Sequence, residues 1–442
     1  MKRKIDAKLT AWKDNPARQP LLVLGARQVG KTYAVQRFAK NNFDDCAYFN
    51  FEEQNTLQEI FKTGLEPQRL LNALSAYRGL PINPNSTLVI FDEVQACPAA
   101  LTSLKYFSEK MPNLQIIATG SLIGVASRHQ GLSFPVGKVE FAHLQPLDFE
   151  EFLWACGQEL LADLIRNHFN EPRAFALHEK ALEYLDTYLL LGGMPAVVAT
   201  YSSADDKQTA LQNALPVRLQ ILNSYQSDMS KYVSPTQSRR ILASYLSLPA
   251  QLAKDNAKFQ YKLVAKGAKS SLFGDALDWL EQANIVLKVQ RVDEPLLPLA
   301  GNKDLSAFKL YANDCGLLAE LLGITSQELL PMMPDTNRRG AVIENYVASA
   351  LAQTRLLYDS ELYYWKDDSK SGGKAEIDFL IERNGEVIPL EVKSGRRTKS
   401  LSLKTYMQRY KPSYGIRLSR NNFAQGSDLL SLPLYAAFCL MD

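Results

Sequence analysis

The sequence predicts an α/β chain: a parallel sheet with interleaved helices toward the N-terminus, a helical middle, and a second α/β region toward the C-terminus. Three observations carry that reading. Short apolar runs alternate with helix-compatible stretches from Leu21 to about Phe141. Aromatic and leucine residues recur at three-to-four spacing between Pro146 and about Tyr232. Strand-like runs then return beyond a helical segment at Ile343 to Leu351,.

Composition frames these elements. At 442 residues the chain exceeds what one hydrophobic core usually organises, so roughly two to four domains are expected. Hydrophobic residues at 46% and charged residues at 22% favour packed cores over disorder,. The formal net charge of +3 is too small to predict a polyanionic partner by itself, so local basic clusters must decide that question. Cys46, Cys97, Cys156, Cys315 and Cys439 are odd in number, far apart and without a CxxC pair. They suggest neither a disulfide framework nor a zinc site and fit a reducing cytosol. Met1-Lys2-Arg3-Lys4 continues into Ile5-Asp6-Ala7-Lys8 without an apolar signal region. No later run approaches the roughly 18 apolar residues of a membrane span. A cytoplasmic protein with no membrane partner is expected, and no internal repeat suggests a solenoid.

In the first region, the runs Leu21 to Leu24, Ala47 to Phe51, Leu88 to Phe91, Leu114 to Thr119 and Lys138 to Phe141 read as strands of a parallel sheet,. The first runs directly into Gly25-Ala26-Arg27-Gln28-Val29-Gly30-Lys31-Thr32, and a helix-compatible segment follows. A strand, a loop of this pattern and a helix together define a P-loop, so ATP binding is expected. Gly25 and Gly30 admit backbone conformations and a close approach that a side chain would block, which lets Ala26, Arg27, Gln28 and Val29 turn their N–H groups toward phosphates. Lys31 is expected at the β and γ phosphates and Thr32 on Mg²⁺. Thr87-Leu88-Val89-Ile90-Phe91 ends in Asp92-Glu93, placing two carboxylates where ligands collect in open α/β sheets. Asp92 is assigned to Mg²⁺ and Glu93 to the attacking water, although the same acids could cap a helix. Thr119, ending the next strand, is a candidate sensor hydroxyl or an ordinary strand-ending turn. Arg128, Lys138, Arg218, Arg239 and Arg240 are candidates for the arginine that many such ATPases need,.

The middle region divides at Gly192-Gly193-Met194-Pro195 and again at Ser234-Pro235-Thr236, which supplies cap and first-turn chemistry for a helix,. The boundaries expected are residues 1–145 for the ATPase core, 146–233 for a helical lid, 234–332 for a winged-helix-like domain and 333–442 for the last α/β domain, with a break near Pro331-Met332-Met333-Pro334.

Several segments together resemble a known family: the P-loop, Phe91-Asp92-Glu93-Val94-Gln95, Ala118-Thr119-Gly120-Ser121, Ser133-Phe134-Pro135-Val136-Gly137-Lys138-Val139, Pro146-Leu147 with Phe149-Glu150-Glu151-Phe152, and Gly192-Gly193-Met194-Pro195. The likeness continues through Leu310 to Leu317 and Ile343 to Val347 to Glu391-Val392-Lys393-Ser394-Gly395. This set is similar to prokaryotic AAA-type ATPases that end in a large uncharacterised domain. The resemblance implies an AAA+ core, a winged-helix segment and a restriction-endonuclease-like C-terminal fold. It also implies assembly as a homo-oligomer. Relatives often carry Gly-Arg where this chain has Gly137-Lys138, which leaves the arginine unassigned.

A helix running into a strand from Leu277 to Val289 fits a winged helix. Upstream, Lys254, Lys258, Lys262, Lys266 and Lys269 recur at about one helical turn. They could line one face for DNA phosphates, together with Arg396, Arg397 and Lys399, or simply be solvated. In the last region Asn384-Gly385 predicts a tight hairpin between Glu376-Ile377-Asp378-Phe379 and Ile388-Pro389-Leu390-Glu391-Val392-Lys393,. Asp378, Glu391 and Lys393, with Glu344 on the preceding helix, are similar to the PD-(D/E)xK nucleases, where acids bind Mg²⁺ and the lysine assists water. A fold that only binds a partner would carry the same residues.

Overall fold

A computed structural model describes residues 1–121, 137–231, 233–254, 258–324, 337–353, 361–367, 375–396 and 401–440. Arg128, Arg397 and Lys399, residues 133–136 of the resemblance and the expected break at 331–334 lie outside the described residues. The chain is mixed α/β and forms two compact units, one of residues 2–145 with 282–284 and one of residues 146–281 with 285–442.

The first unit is built on five parallel strands: β1 (Leu21–Leu24), β2 (Asp45–Asn50), β3 (Thr87–Asp92), β4 (Gln115–Gly120) and β5 (Glu140–His143). Their spatial order is β2-β3-β4-β1-β5. Each of the five predicted runs is a strand, displaced by at most a few residues. The order follows from what each strand must bury. β3 and β4 are buried along their whole length, so they take inner positions covered on both faces. On one face, Phe91 packs edge-to-face against Phe51, Phe61 and Phe107, with ring centroids 5.5, 5.7 and 6.3 Å away. This aromatic cluster sits directly under the acidic end of β3 and fixes its position.

The second unit begins helical. The helix Phe149–Ala155 starts with a capping box, in which Glu151 N–H donates to Asp148 Oδ1 at 2.9 Å and Asp148 N–H donates to Glu151 Oε2 at 3.2 Å,. Ser234 caps the helix Pro235–Leu246 by accepting from Gln237 N–H at 3.3 Å, with proline in the first turn as the sequence suggests. The Gly192-Gly193 break closes on a distant loop. Gly193 N–H donates to Asp314 Oδ2 at 2.6 Å, and the other oxygen of Asp314 caps the helix Cys315–Leu321 through Leu317 N–H at 2.9 Å. A Cβ on Gly193 would lie 1.9 Å from the Leu147 carbonyl oxygen, so only glycine lets these backbones approach.

Among the described residues, eight strands complete this unit: β6 (Val286–Val292), β7 (Lys303–Ala312), β8 (Leu362–Lys366), β9 (Glu376–Arg383), β10 (Glu386–Val392), β11 (Gly415–Ser419), β12 (Ala424–Gln425) and β13 (Leu429–Pro433), in the order β12-β13-β11-β10-β9-β8-β6-β7. β9 and β10 form the predicted hairpin, with Asn384 and Gly385 at φ 52° and 78° as a type I′ turn requires,. β6 and β7, read from the sequence as part of a winged helix, join the same sheet as the hairpin: β6 pairs in parallel with β8. Val289 and Val292 on β6 are fully buried, and pairing with β8 removes the open edge that a separate two-stranded wing would leave.

The lysine stripe is not observed as predicted. Between Lys258 and Lys269 the described chain makes only a 3₁₀ turn at Tyr261–Leu263, and the next helix, Ser270–Gln282, starts beyond these lysines. Gly267 at φ 78° takes the left-handed backbone. Phe259 N–H bonds the Phe308 carbonyl at 2.8 Å, tying the segment to β7 rather than coiling it. The four-residue spacing therefore does not put Lys254, Lys258, Lys262, Lys266 and Lys269 on one helical face.

Candidate nucleotide site and the C-terminal acid cluster

The loop between β1 and the helix Lys31–Asn42 is shaped by residues that accept positive φ: Gly25 at 152°, Gln28 at 64° and Gly30 at 90°. A Cβ on Gly25 would lie 2.1 Å from the Leu144 carbonyl oxygen. Ala26 and Val29 are buried and anchor the loop, while Arg27 faces Glu52 at 3.2 Å. Lys31 is buried, and its Nζ donates to the carbonyls of Gly25 at 2.9 Å and Ala26 at 2.8 Å. Burial lowers its ammonium to about 8 against the pull of Glu93 and Asp92,.

Asp92 is the centre of the site. Its carboxylate accepts from Thr32 Oγ1 at 2.9 and 3.0 Å, from Tyr48 Oη at 2.6 Å and from Thr119 Oγ1. The strand order explains this. β4 lies between β1 and β3, so its last turn delivers Thr119 to the gap between the P-loop and the acids. Glu93 follows in a left-handed conformation, φ 50° and ψ 47°, that a non-glycine residue rarely adopts,. That bend turns it off the strand line, and Gln95 Nε2 donates to its Oε2.

These residues fit the nucleotide and cation that the motif implies. Gly25 keeps clear a cradle that a Cβ would fill, the N-terminus of Lys31–Asn42 opens onto it, and Thr32 with Asp92 offers a hydroxyl and a carboxylate of the hard-oxygen kind that Mg²⁺ takes. Two partners escaped sequence reasoning. Tyr48 looked like a strand residue, and its role appears only once β2 pairs with β3 in a register that sets Asn50 opposite Asp92. Arg3 looked like part of a basic N-terminus. It is buried and donates to the carbonyls of Val29 at 3.1 Å and Gln145 at 2.7 Å, clamping the loop from behind. A basic residue just before an amphipathic helix carries no signal for that role.

Among the finger candidates, Arg218 is buried and bonds Glu320 and the Leu190 carbonyl. Lys138 pairs with Glu109 at 3.4 Å, and Arg240 lies over the Phe273 ring.

The β9–β10 hairpin sets Asp378 beside the backbone between Glu391 and Lys393. Asp378 and Glu344 lie close enough to interact, and burial followed by Glu344 raises the Asp378 carboxyl to about 7,. Asp378 Oδ2 accepts from Val392 N–H at 2.7 Å. Glu391 is buried and held by Lys393 at 3.0 Å and by Arg417 at 3.4 Å. Glu344 is taken by Lys309 at 2.9 Å and by Tyr311. Among the described residues, no three His, Cys, Asp or Glu side chains gather as a metal-holding group.

A sheet of parallel strands with a P-loop and an acidic strand end is the architecture of P-loop ATPases. Residues 17–153 match the profile described as AAA domain. Residues 182–328 and 339–435 match two profiles described only as domains of unknown function. An uncharacterised protein of Mycobacterium tuberculosis is 24% identical over 399 residues, spanning 88% of this chain and 73% of that protein; one of Mycobacterium bovis is equally similar. Among solved structures, the chain is similar to a Walker-type ATPase of Pyrococcus abyssi at 18% identity, covering 73% of this chain and 95% of that one with a TM-score of 0.46. It is also similar to the ORC2 protein of Aeropyrum pernix at 13% identity, covering 71% and 90% with a TM-score of 0.38. At such scores these likenesses carry no functional weight. Among the described residues no helix is long and apolar enough to cross a membrane.

Proposed function

We propose that the chain binds ATP with Mg²⁺ and hydrolyses it. The observation that supports this reading best is the convergence of Thr32, Tyr48 and Thr119 on Asp92, beside a P-loop whose lysine is already drawn into the loop. Loop N–H groups and the helix N-terminus bind the phosphate oxygens, and the Lys31 ammonium leaves its two carbonyls for them. Thr32 and Asp92 would hold Mg²⁺, which when bound supplies charge neutralisation on the phosphates. Glu93 orients a water and accepts its proton, and Thr119 fixes the carboxylate beside it. Turnover of ATP by the purified protein, compared with Lys31→Ala and Glu93→Gln, tests the proposal. Lys31→Ala should lose binding, and Glu93→Gln should bind without turning over. Parental turnover by Glu93→Gln would overturn the role of Glu93.

The work coupled to hydrolysis is proposed to act on nucleic acid, on the strength of exposed Lys254, Lys262, Lys266 and Lys269 within one short stretch. Binding to a DNA duplex should then fall steeply with salt. Absence of affinity for DNA or RNA at low ionic strength favours the other class, an ATPase acting on protein partners. Assembly as a homo-oligomer is part of the proposal: Arg218 is bonded to Glu320 within its own unit, and a second copy would supply an arginine to the nucleotide. A mass measurement in solution with and without ATP tests this.

A further inference from the structure

We infer that Lys309 is the resident cation of the C-terminal acid cluster, and that this cluster holds no divalent metal and performs no phosphodiester chemistry. Lys309 lies on β7 with its side chain 1% exposed, and its Nζ stands 2.9 Å from Glu344 Oε1 and 2.8 Å from Glu376 Oε1. It also sits over the Tyr364 ring, 5.1 Å from the centroid. A lysine this deep survives as an ammonium only if opposite charge surrounds it. The carboxylates come from two different elements, Glu344 from the helix Asn337–Ala352 and Glu376 with Asp378 from β9, and the ammonium bridges them.

Both oxygens of Glu376 and of Glu391, and one oxygen each of Glu344 and Asp378, already have donors. Glu344 Oε1 accepts from both Lys309 and Tyr311, Glu376 Oε2 from Lys366 at 3.1 Å, and Asp378 Oδ2 from Val392 N–H. Glu391 has Lys393 on one oxygen and Arg417 on the other. Magnesium requires near-octahedral oxygen ligation with little distortion. A doubly charged ion entering here would also meet the Lys309 ammonium at close range, where like charges in a low-dielectric interior repel strongly. The lysine does for these acids what a cation does in a nuclease, neutralising them, but it has no coordination position to offer a water or a phosphate.

The test is a Mn²⁺ titration of the full-length, nucleotide-free protein, read by the electron paramagnetic resonance signal of free Mn²⁺. Parent, Glu344→Gln and Asp378→Asn, each confirmed folded by circular dichroism, should take up the same amount. A bound Mn²⁺ present in the parent and lost in either variant overturns the inference. Thermal unfolding gives an independent arm. Lys309→Met should lower the midpoint, and adding Glu344→Gln should restore part of the loss because the stranded charge is removed. A Lys309→Met protein as stable as the parent would also overturn it. Neither arm involves ATP, so the outcome is separate from that of the ATPase proposal.

Discussion

Tyr48 Oη donates to Asp92 Oδ2 at 2.6 Å from the neighbouring strand, so the carboxylate assigned to Mg²⁺ is aimed by a phenol. Burial followed by the Asp92 hydrogen bond pushes the Tyr48 hydroxyl well above its ordinary value, which keeps it a donor at all physiological pH. Tyr48→Phe removes one hydrogen bond to a charged acceptor, worth about 1.5–3 kcal/mol. The expected result is a loss of roughly tenfold or more in kcat/KM for ATP, with the Mg²⁺ requirement shifted to higher concentration. Steady-state kinetics across a Mg²⁺ series check it, and an unchanged Mg²⁺ dependence would count against the positioning role.

Glu93→Gln and Lys31→Ala should separate two steps. Glu93→Gln is expected to retain ATP affinity while lowering turnover by about 10²–10⁴, the range for losing a positioned acid or base. Lys31→Ala is expected to weaken binding itself. Calorimetry with ATP and a phosphate-release assay on the same preparations distinguish them.

Arg3→Ala should destabilise the first unit although it lies far from the motif in sequence. It leaves the buried carbonyls of Val29 and Gln145 without their guanidinium donor, a loss of about 2–3 kcal/mol. A drop in the unfolding midpoint that ATP partly reverses is expected, since ligand binding favours the ordered loop.

The Lys31 ammonium gives a pH signature. Burial lowers it to about 8, so below that pH it carries its charge in the nucleotide-free protein. Above pH 8 a growing fraction is neutral, and ATP must bind together with a proton. Affinity should therefore fall with rising pH, approaching about tenfold per unit. Stability moves the other way. Between about 8 and the ordinary value of 10.5 the unfolded chain binds more protons at this site, so the folded state gains stability as pH rises,. Lys31→Arg should show neither trend. Calorimetric titrations from pH 7 to pH 9 read the binding arm directly.

What could be read from the sequence was what the local backbone decides. Gly25 and Gly30 mark a loop because only certain residues tolerate its dihedrals, and Asn384-Gly385 specifies its turn for the same reason,. Asp92 and Glu93 were legible because they end an apolar run. Arg3, Tyr48 and Lys309 were not, since each acquires its role from a partner that the strand order brings near: Val29 and Gln145 for Arg3, Asp92 for Tyr48, and Glu344 with Glu376 for Lys309. The lysines from Lys254 to Lys269 show the opposite failure. Their spacing matches a helix, but the Phe259 backbone bond to Phe308 ties the segment to β7 and Gly267 interrupts it.

The placement of β1 between β4 and β5 has a consequence for how the molecule is made. Leu21 pairs with Ile117 on one side and Glu140 on the other, so the strand that feeds the P-loop leaves the ribosome long before either neighbour exists. Pairings this distant along the chain form late, because loop-closure entropy must be met before any contact repays it. During synthesis the apolar segment Leu21 to Leu24 waits without an edge to join, exposed to the wrong partners. The proposed nucleotide binding would then report on completed assembly of the first unit, since Gly25 of the loop packs against the Leu144 carbonyl just beyond the last strand.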